Sequence, residues 1–312
     1  MQEISPVSPE ERARHHANAL GQLRGRRRYW EIVRRVAIGV YSDGFIHAGN
    51  LAYLSLISLF PFFIVTAALA HFLGRGPDTM VAIESFLREL PKSIGELMRQ
   101  PIQDVLLQRT GSLLWLGGLV GLWTAGSFIE TIRDILRRAY GVRFTKPFWH
   151  YRLTSAALII AAVMLTLAAF SAQLFLTGAV EFVYRLLPWA DRLGSWVGWT
   201  RLAPVVPLFA ALYLLFYSLT PSKYRVKGCA KWPGALFTTV CWVAITAGLP
   251  ATLALLGGYD RTYGSLAGVI VALFFFWLVG FGLVIGAHLN AALAEMPNRS
   301  VREARGTATT EE

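Results

Sequence analysis

Asn50, Tyr53, Ser58 and Pro61 fall on one face of a helix in a stretch that carries no charge, at the spacing that brings side chains into line. Donors and acceptors aligned in this way suit a path for a polar solute, and the expectation is that this face points into a helical bundle. Pro61 has no amide hydrogen to give the carbonyl of Ile57, so a kink is expected there. The freed acceptor then needs Ser58 or a neighbouring helix. Two readings stay open: a broken helix lining a solute route, or a packing kink that its neighbours satisfy.

His288 and Asn290 are the last polar groups of another apolar run. A histidine in such a place titrates near neutral pH, which makes it a candidate for proton coupling, with headgroup contact as the alternative. About 200° of helical rotation separates the two residues. If Asn290 continues the stripe of Gly282 and Gly286, His288 faces elsewhere. Gly282 with Gly286, and Gly117 with Gly121, have the spacing that lets two helices approach closely.

Glu130 and Arg133, and Asp134 with Arg137 or Arg138, are spaced for ion pairs on a helical continuation, Thr131 to Val142. Exposed pairs of this kind contribute roughly 0.2 to 0.5 kcal/mol each. Phe128, Ile132, Ile135 and Ala139 keep an apolar face on the same stretch, so it reads as an interfacial anchor, a gate or a headgroup site. The histidines, at 15, 16, 47, 71, 150 and 288, form neither a zinc-protease pair nor a clustered metal-hydrolase motif, and no glycine loop cradles phosphate. The expectation is therefore a chain without metal or cofactor, and not an enzyme.

The elements that must position these residues are helices in lipid. Hydrophobic residues make up 54% of the 312 and charged ones only 16%, against about 25% charged in soluble domains. The apolar residues form long blocks, and a spanning helix needs about 20 of them. Six uncharged runs qualify: Phe45 to Ala70, Gly111 to Ile129, Leu153 to Leu176, Leu202 to Leu219, Pro233 to Leu256 and Gly264 to Leu293. The expected fold is all-α, a polytopic bundle of six transmembrane helices with extra amphipathic interfacial helices. Residues 1–44 form a cytoplasmic segment with an interfacial helix, 45–294 the membrane domain, and 295–312 a disordered cytoplasmic tail.

Basic residues accumulate on the cytoplasmic side of a membrane. Of the 30 Lys and Arg, 21 lie in the two terminal segments and the connections at 130–152 and 223–231, and 9 on the other side. Both termini are therefore expected in the cytoplasm. The net charge of +11 follows this topology and the anionic headgroups of the inner leaflet, so nucleic acid is not expected as a partner. Arg24, Arg26, Arg27 and Arg28 precede Tyr29 and Trp30, and Trp30, Val33, Ala37 and Val40 recur at helical spacing, as on a helix lying on the inner leaflet. Ile83, Phe86, Leu87 and Leu90, then Ile94, Leu97 and Met98, give two short amphipathic helices in the outer loop, divided by Pro91. The polar, basic opening lacks the form of a cleaved signal peptide. Cys229 and Cys241, which would lie roughly 18 Å apart if one helix carried both, make no disulfide framework.

NLAYLSLISLFP at Asn50 to Pro61, TIRDILRRAYGV, PFWHYR at Pro147 to Arg152, YSLTP at Tyr217 to Pro221, WPGALF at Trp232 to Phe237, YGSLAGV at Tyr263 to Val269 and GAHLNA at Gly286 to Ala291 together resemble the YihY/virulence factor BrkB family, formerly labelled ribonuclease BN. The likeness covers residues 30 to 294. It implies a six-helix bacterial inner-membrane protein. In that family a glutamate usually stands where this chain has His288, and a small apolar residue where it has Asn50. The old ribonuclease label does not suit a chain without an acid–base cluster. Function is expected to be transport of a solute or lipid; the alternative is a non-catalytic scaffold for envelope assembly. The sequence names no substrate and no oligomeric state.

Overall fold

The computed structural model describes residues 5–14, 25–73, 111–142, 149, 151–157, 159–160, 205–225, 229–255 and 266–294. Among these the structure is helical, with no strand. The helices are α1 (Pro9–Arg14), α2 (Arg26–Leu73), α3 (Gly111–Tyr140), α4 (Val205–Leu219), α5 (Trp232–Leu255) and α6 (Ala267–Leu293), with a 3-10 turn at Ser222–Tyr224. The chain divides into two compact units, one of residues 1–57, 128–145 and 209–312, the other of residues 58–127 and 146–208.

In the first unit α6 is the central helix. Its uncharged run of Ala, Val, Leu and Phe has no polar side to turn outward, and half of it is buried. α2 packs along it antiparallel, because small residues allow the approach. A Cβ on Gly44 would lie 3.4 Å from Val284. One on Gly280 would lie 3.1 Å from the Cβ of Leu51 and 3.3 Å from the carbonyl of Ala48. Phe45 completes this contact against Phe281, ring centroids 5.0 Å apart. α5 packs on another side of α6, where a Cβ on Gly282 would lie 3.1 Å from that of Cys241 and Trp242 meets Phe275 edge-on, ring centroids 6.3 Å apart.

The ends of the helices have local causes. α3 stops at Gly141, whose φ of +78° suits a residue without Cβ. Val142 N–H donates to Arg137 and Gly141 N–H to Arg138, the crossed pair of bonds that closes a helix on a left-handed glycine. α4 ends where Arg225 folds back to donate to the carbonyls of Ser218 and Thr220. In the second unit, Arg152 donates to the carbonyl of Trp123 at 2.7 Å and to Ser127 Oγ at 3.2 Å, its guanidinium 3.9 Å above the Trp123 ring.

Several expectations meet a different arrangement. The interfacial segment and the first span are not separate, since α2 runs without a break through 48 residues, Pro61 included. Of the expected six spans, α5 and α6 are long and apolar enough on their described residues to cross a bilayer; Gly44–Leu59 and Val205–Leu219 are apolar but shorter. α3 is helical over the expected second span and past it. Most of the third span, both short helices of the outer loop and the tail after 294 lie outside the described residues.

Candidate functional site

Polar groups of the first unit gather in two places, the α5–α6 seam and the end of the bundle where α3, the 222–231 connection and α6 meet. The seam is built on Asn290, which is fully buried. Its Oδ1 accepts from the Gly234 amide at 2.8 Å and its Nδ2 donates to the Lys231 carbonyl at 3.0 Å. The first amides of a helix have no intrahelical acceptor. Asn290 therefore caps α5 from a neighbouring helix, a job that a local Ser or Asp normally does. The contact needs bare backbone, for a methyl on Gly234 would collide with the Gly286 carbonyl, and one on Gly286 with Thr238. Thr238 Oγ1 donates to the Gly234 carbonyl at 2.9 Å, and the Gly282 carbonyl lies 3.3 Å from the same hydroxyl.

His288 points away from this seam, as the rotation between the two residues requires. Its imidazole packs against Gly39 of α2 so closely that any Cβ there would overlap it. At 4% exposure His288 is interior, which overturns headgroup contact.

The second cluster surrounds Tyr140 and Tyr224, rings 4.9 Å apart and both buried. Burial pushes both phenols well above their usual range, and Glu10 beside Tyr224 adds to the effect. Lys231 donates to the Tyr224 carbonyl at 2.5 Å; burial pulls its ammonium down, against a smaller opposing influence of Cys229. Over this cluster lies α1. Glu10 accepts from Tyr224 Oη at 2.8 Å and pairs with Lys223 at 2.9 Å.

The charged run of α3 is partly buried rather than spread on an interface. Ile132, Ile135, Leu136, Ala139 and Tyr140 are interior, and so is Arg133. That corrects the interfacial anchor, because the apolar face is spent on protein. Asp134 accepts from Arg138 at 2.8 Å, one of the two partners expected for it. Glu130 and Arg137 are half-buried.

The α2 stripe is corrected in direction. Asn50 is exposed and Tyr53 is 57% exposed, while Ala48, Leu51 and Ala52 turn inward. The reason is steric, since α6 approaches α2 along its small residues and leaves the polar stripe outside. Ile46, Asn50, Tyr53 and Ile57 form one open face, and Gly49 beside them has nothing within 4 Å of its Cβ position. Ser58 is half-buried. The side chains of Pro61 and Gly117 lie outside the described residues, and Gly121 is buried.

Trp30, Val33 and Ala37 do stay exposed on one face, with Arg26, Arg27, Arg28 and Tyr29, whereas Val40 is buried. Among the described residues no group of three His, Cys, Asp or Glu is placed to hold a metal. Sequence reasoning passed over Ser8, Glu10, Arg12, Gly39 and Thr238. One signal was present, because Ser8-Pro9-Glu10-Glu11 has the form of a helix start, and Ser8 Oγ does accept from the Glu11 amide at 3.3 Å.

Residues 42–310 match the family described as virulence factor BrkB. The ribonuclease-like protein YfkH of Bacillus subtilis is 31% identical over 257 residues, covering 80% of this chain and 90% of its own length. A UPF0761 membrane protein of Alteromonas mediterranea is 24% identical over 255 residues, 80% of this chain and 83% of the relative. Another, azo3165 of Azoarcus sp., is 27% identical over 255 residues, and this chain spans 59% of its length. No solved structure matches.

Proposed function

Since this chain belongs to the virulence factor BrkB family and is a membrane protein, we propose that it crosses the plasma (inner) membrane six times and translocates a small solute or a lipid. Both termini face the cytoplasm in this reading, in keeping with the basic weighting of alternate connections. The exposed Arg26, Arg27, Arg28, Tyr29 and Trp30 then meet anionic headgroups of the inner leaflet.

Asn50 carries the proposal. It stands exposed in the apolar segment Gly44–Leu59, and an unpaired carboxamide in hydrocarbon costs on the order of several kcal/mol. A wet route along the Ile46, Asn50, Tyr53 and Ile57 face removes that cost. Secondary transport suits the chain better than ATP-driven transport, because its sequence contains no phosphate-cradling glycine loop. The ribonuclease-like name belongs to YfkH and is not carried over to this chain.

The test is flux in liposomes. Purified protein is expected to move ions, small solutes or labelled lipid faster than empty vesicles do, and Asn50→Leu to slow that movement at least about tenfold, the loss of one route-lining interaction. No flux above empty vesicles under any imposed gradient defeats the reading. Cysteines placed at residues 2 and 310 are expected to react with impermeant reagents only from the cytoplasmic side.

A further inference from the structure

Residues 5–14 lie across the end of the first unit and touch three separate pieces of it. Ser5 N–H donates to the Arg138 carbonyl at 3.3 Å, in the last turn of α3. Ser8 is buried and presses on Gly141, whose missing Cβ would lie 2.9 Å from that of Ser8. Glu10 binds the 3-10 turn through Tyr224 and Lys223. Arg12 reaches α6, where one nitrogen, Nη2, donates at 2.9 Å to the carbonyls of both Ala291 and Ala294, while its Nε holds Val7 at 3.0 Å.

The chemistry of these contacts differs from that of the rest of the unit. α2 and α6 meet through small and apolar side chains, and α5 joins α6 through glycines around fully buried hydrogen bonds of Asn290 and Thr238, whereas residues 5–14 are held by partly exposed hydrogen bonds and charge. The last carbonyls of a helix have no intrahelical donor, and those of α6 receive theirs from a cation 279 and 282 residues earlier in the chain. Such contacts open in units smaller than the whole fold, and at a lower cost than apolar packing.

We propose that residues 5–14 are a releasable strap that locks the ends of α3 and α6 and the 222–224 turn in one arrangement, and that its release frees those ends to move. Arg12 is the pin and Glu10 the charge-dependent clasp. The inference stands on the contacts alone and holds whether or not the protein translocates anything.

Hydrogen–deuterium exchange on the full chain in lipid nanodiscs tests it. Arg12→Ala is expected to speed exchange at residues 138–142 and 291–294 about tenfold or more, the loss of a charge-assisted hydrogen bond. Residues 236–246 inside α5 are expected to keep their rate. Arg12→Lys, which lacks the planar fork, is expected to fall between. High salt is expected to speed the same ends in the parent protein and to do so less in Glu10→Gln, which keeps an acceptor for Tyr224 but loses the charge opposite Lys223. Unchanged ends in Arg12→Ala, a uniform rise through α5 and α6, or an undiminished salt response in Glu10→Gln overturns the strap.

Discussion

The α5–α6 seam and the outer face of α2 both carry polar groups on apolar helices, and they treat them in opposite ways. In the seam Asn290 holds a backbone amide and a backbone carbonyl, and Thr238 donates to the Gly234 carbonyl. On α2, Asn50 and Tyr53 stand open. A buried amide with both sides satisfied makes the helices meet in one register and has little left to offer a ligand. An open one contributes little to the fold and is available for chemistry. The polar residues easiest to mistake for a site are thus the ones that build the scaffold.

The strongest way to break this contrast is to enlarge the seam. Gly286→Ala puts a methyl against Thr238, 2.8 Å from the Gly234 carbonyl and 3.3 Å from Phe216, where two of the three neighbours are rigid. Overpacking of this kind costs about 3 kcal/mol. Thermal unfolding in detergent is expected to show the loss as a clearly lowered Tm. An unchanged Tm means that the seam is looser than its geometry.

Asn290→Ala comes next. It removes the acceptor of the buried Gly234 amide and one of the two donors to the Lys231 carbonyl, which keeps the Ala235 amide, and leaving the Gly234 amide unsatisfied costs about 2 kcal/mol. Because Asn290 caps α5, exchange is expected to rise first at residues 232–236, before the rest of that helix. Equal loss along all of α5 would mean that the side chain fills space and does not cap.

A smaller effect belongs to the N-terminal stretch of α2. Burial works against the charge of Glu31, but its 2.9 Å bond to Arg35 and the charges of Arg35 and Arg34 outweigh it and hold the carboxyl below its usual range. A carboxyl lowered by folding stabilises the protein above its unfolded value, about 4.3, and that contribution disappears as pH falls through the folded value. The expected size is about 0.5 kcal/mol, for a pair of which one partner is a quarter exposed. Glu31→Gln is therefore expected to lower Tm slightly at pH 7 and to match the parent at pH 3. A difference that persists at pH 3 assigns the effect to packing.

How far the sequence could be read depended on whether a feature is local. Gly282, Gly286 and Asn290 share a face by arithmetic, and the same arithmetic turns His288 away from it, so both were legible in residue spacing alone. Asp134 and Arg138 are neighbours on one turn and were equally accessible. Periodicity also grouped Asn50 with Tyr53, but it fixes only which residues share a face. The direction of that face depends on which stripe of α2 the glycines of α6 admit, and no window of α2 contains that information. The hold of Arg12 on α6 is further out of reach, since the helix start at Ser8 is written locally while its docking place is written at the other end of the chain. At Pro61, where a kink was expected, α2 stays helical on both sides.

The smallest expected change in stability is also the one that decides what the open face of α2 meets. If Asn50 faces lipid, replacing its carboxamide by an isopropyl group removes a polar burden from hydrocarbon, and Asn50→Leu must stabilise the protein by about 1 kcal/mol or more. If it faces water along a route, leucine neither gains nor loses much, and the change stays within about 0.5 kcal/mol, as for surface positions generally. Tyr53→Phe serves as the companion, because it removes one hydroxyl and keeps the ring that covers the helix. Denaturation of both variants in the same bilayer mimetic gives the answer without knowledge of any substrate. Neutrality at both positions, beside the large cost at Gly286, leaves the seam as scaffold and the face as working surface; a stabilised Asn50→Leu assigns that face to lipid and removes the main support for a route along it.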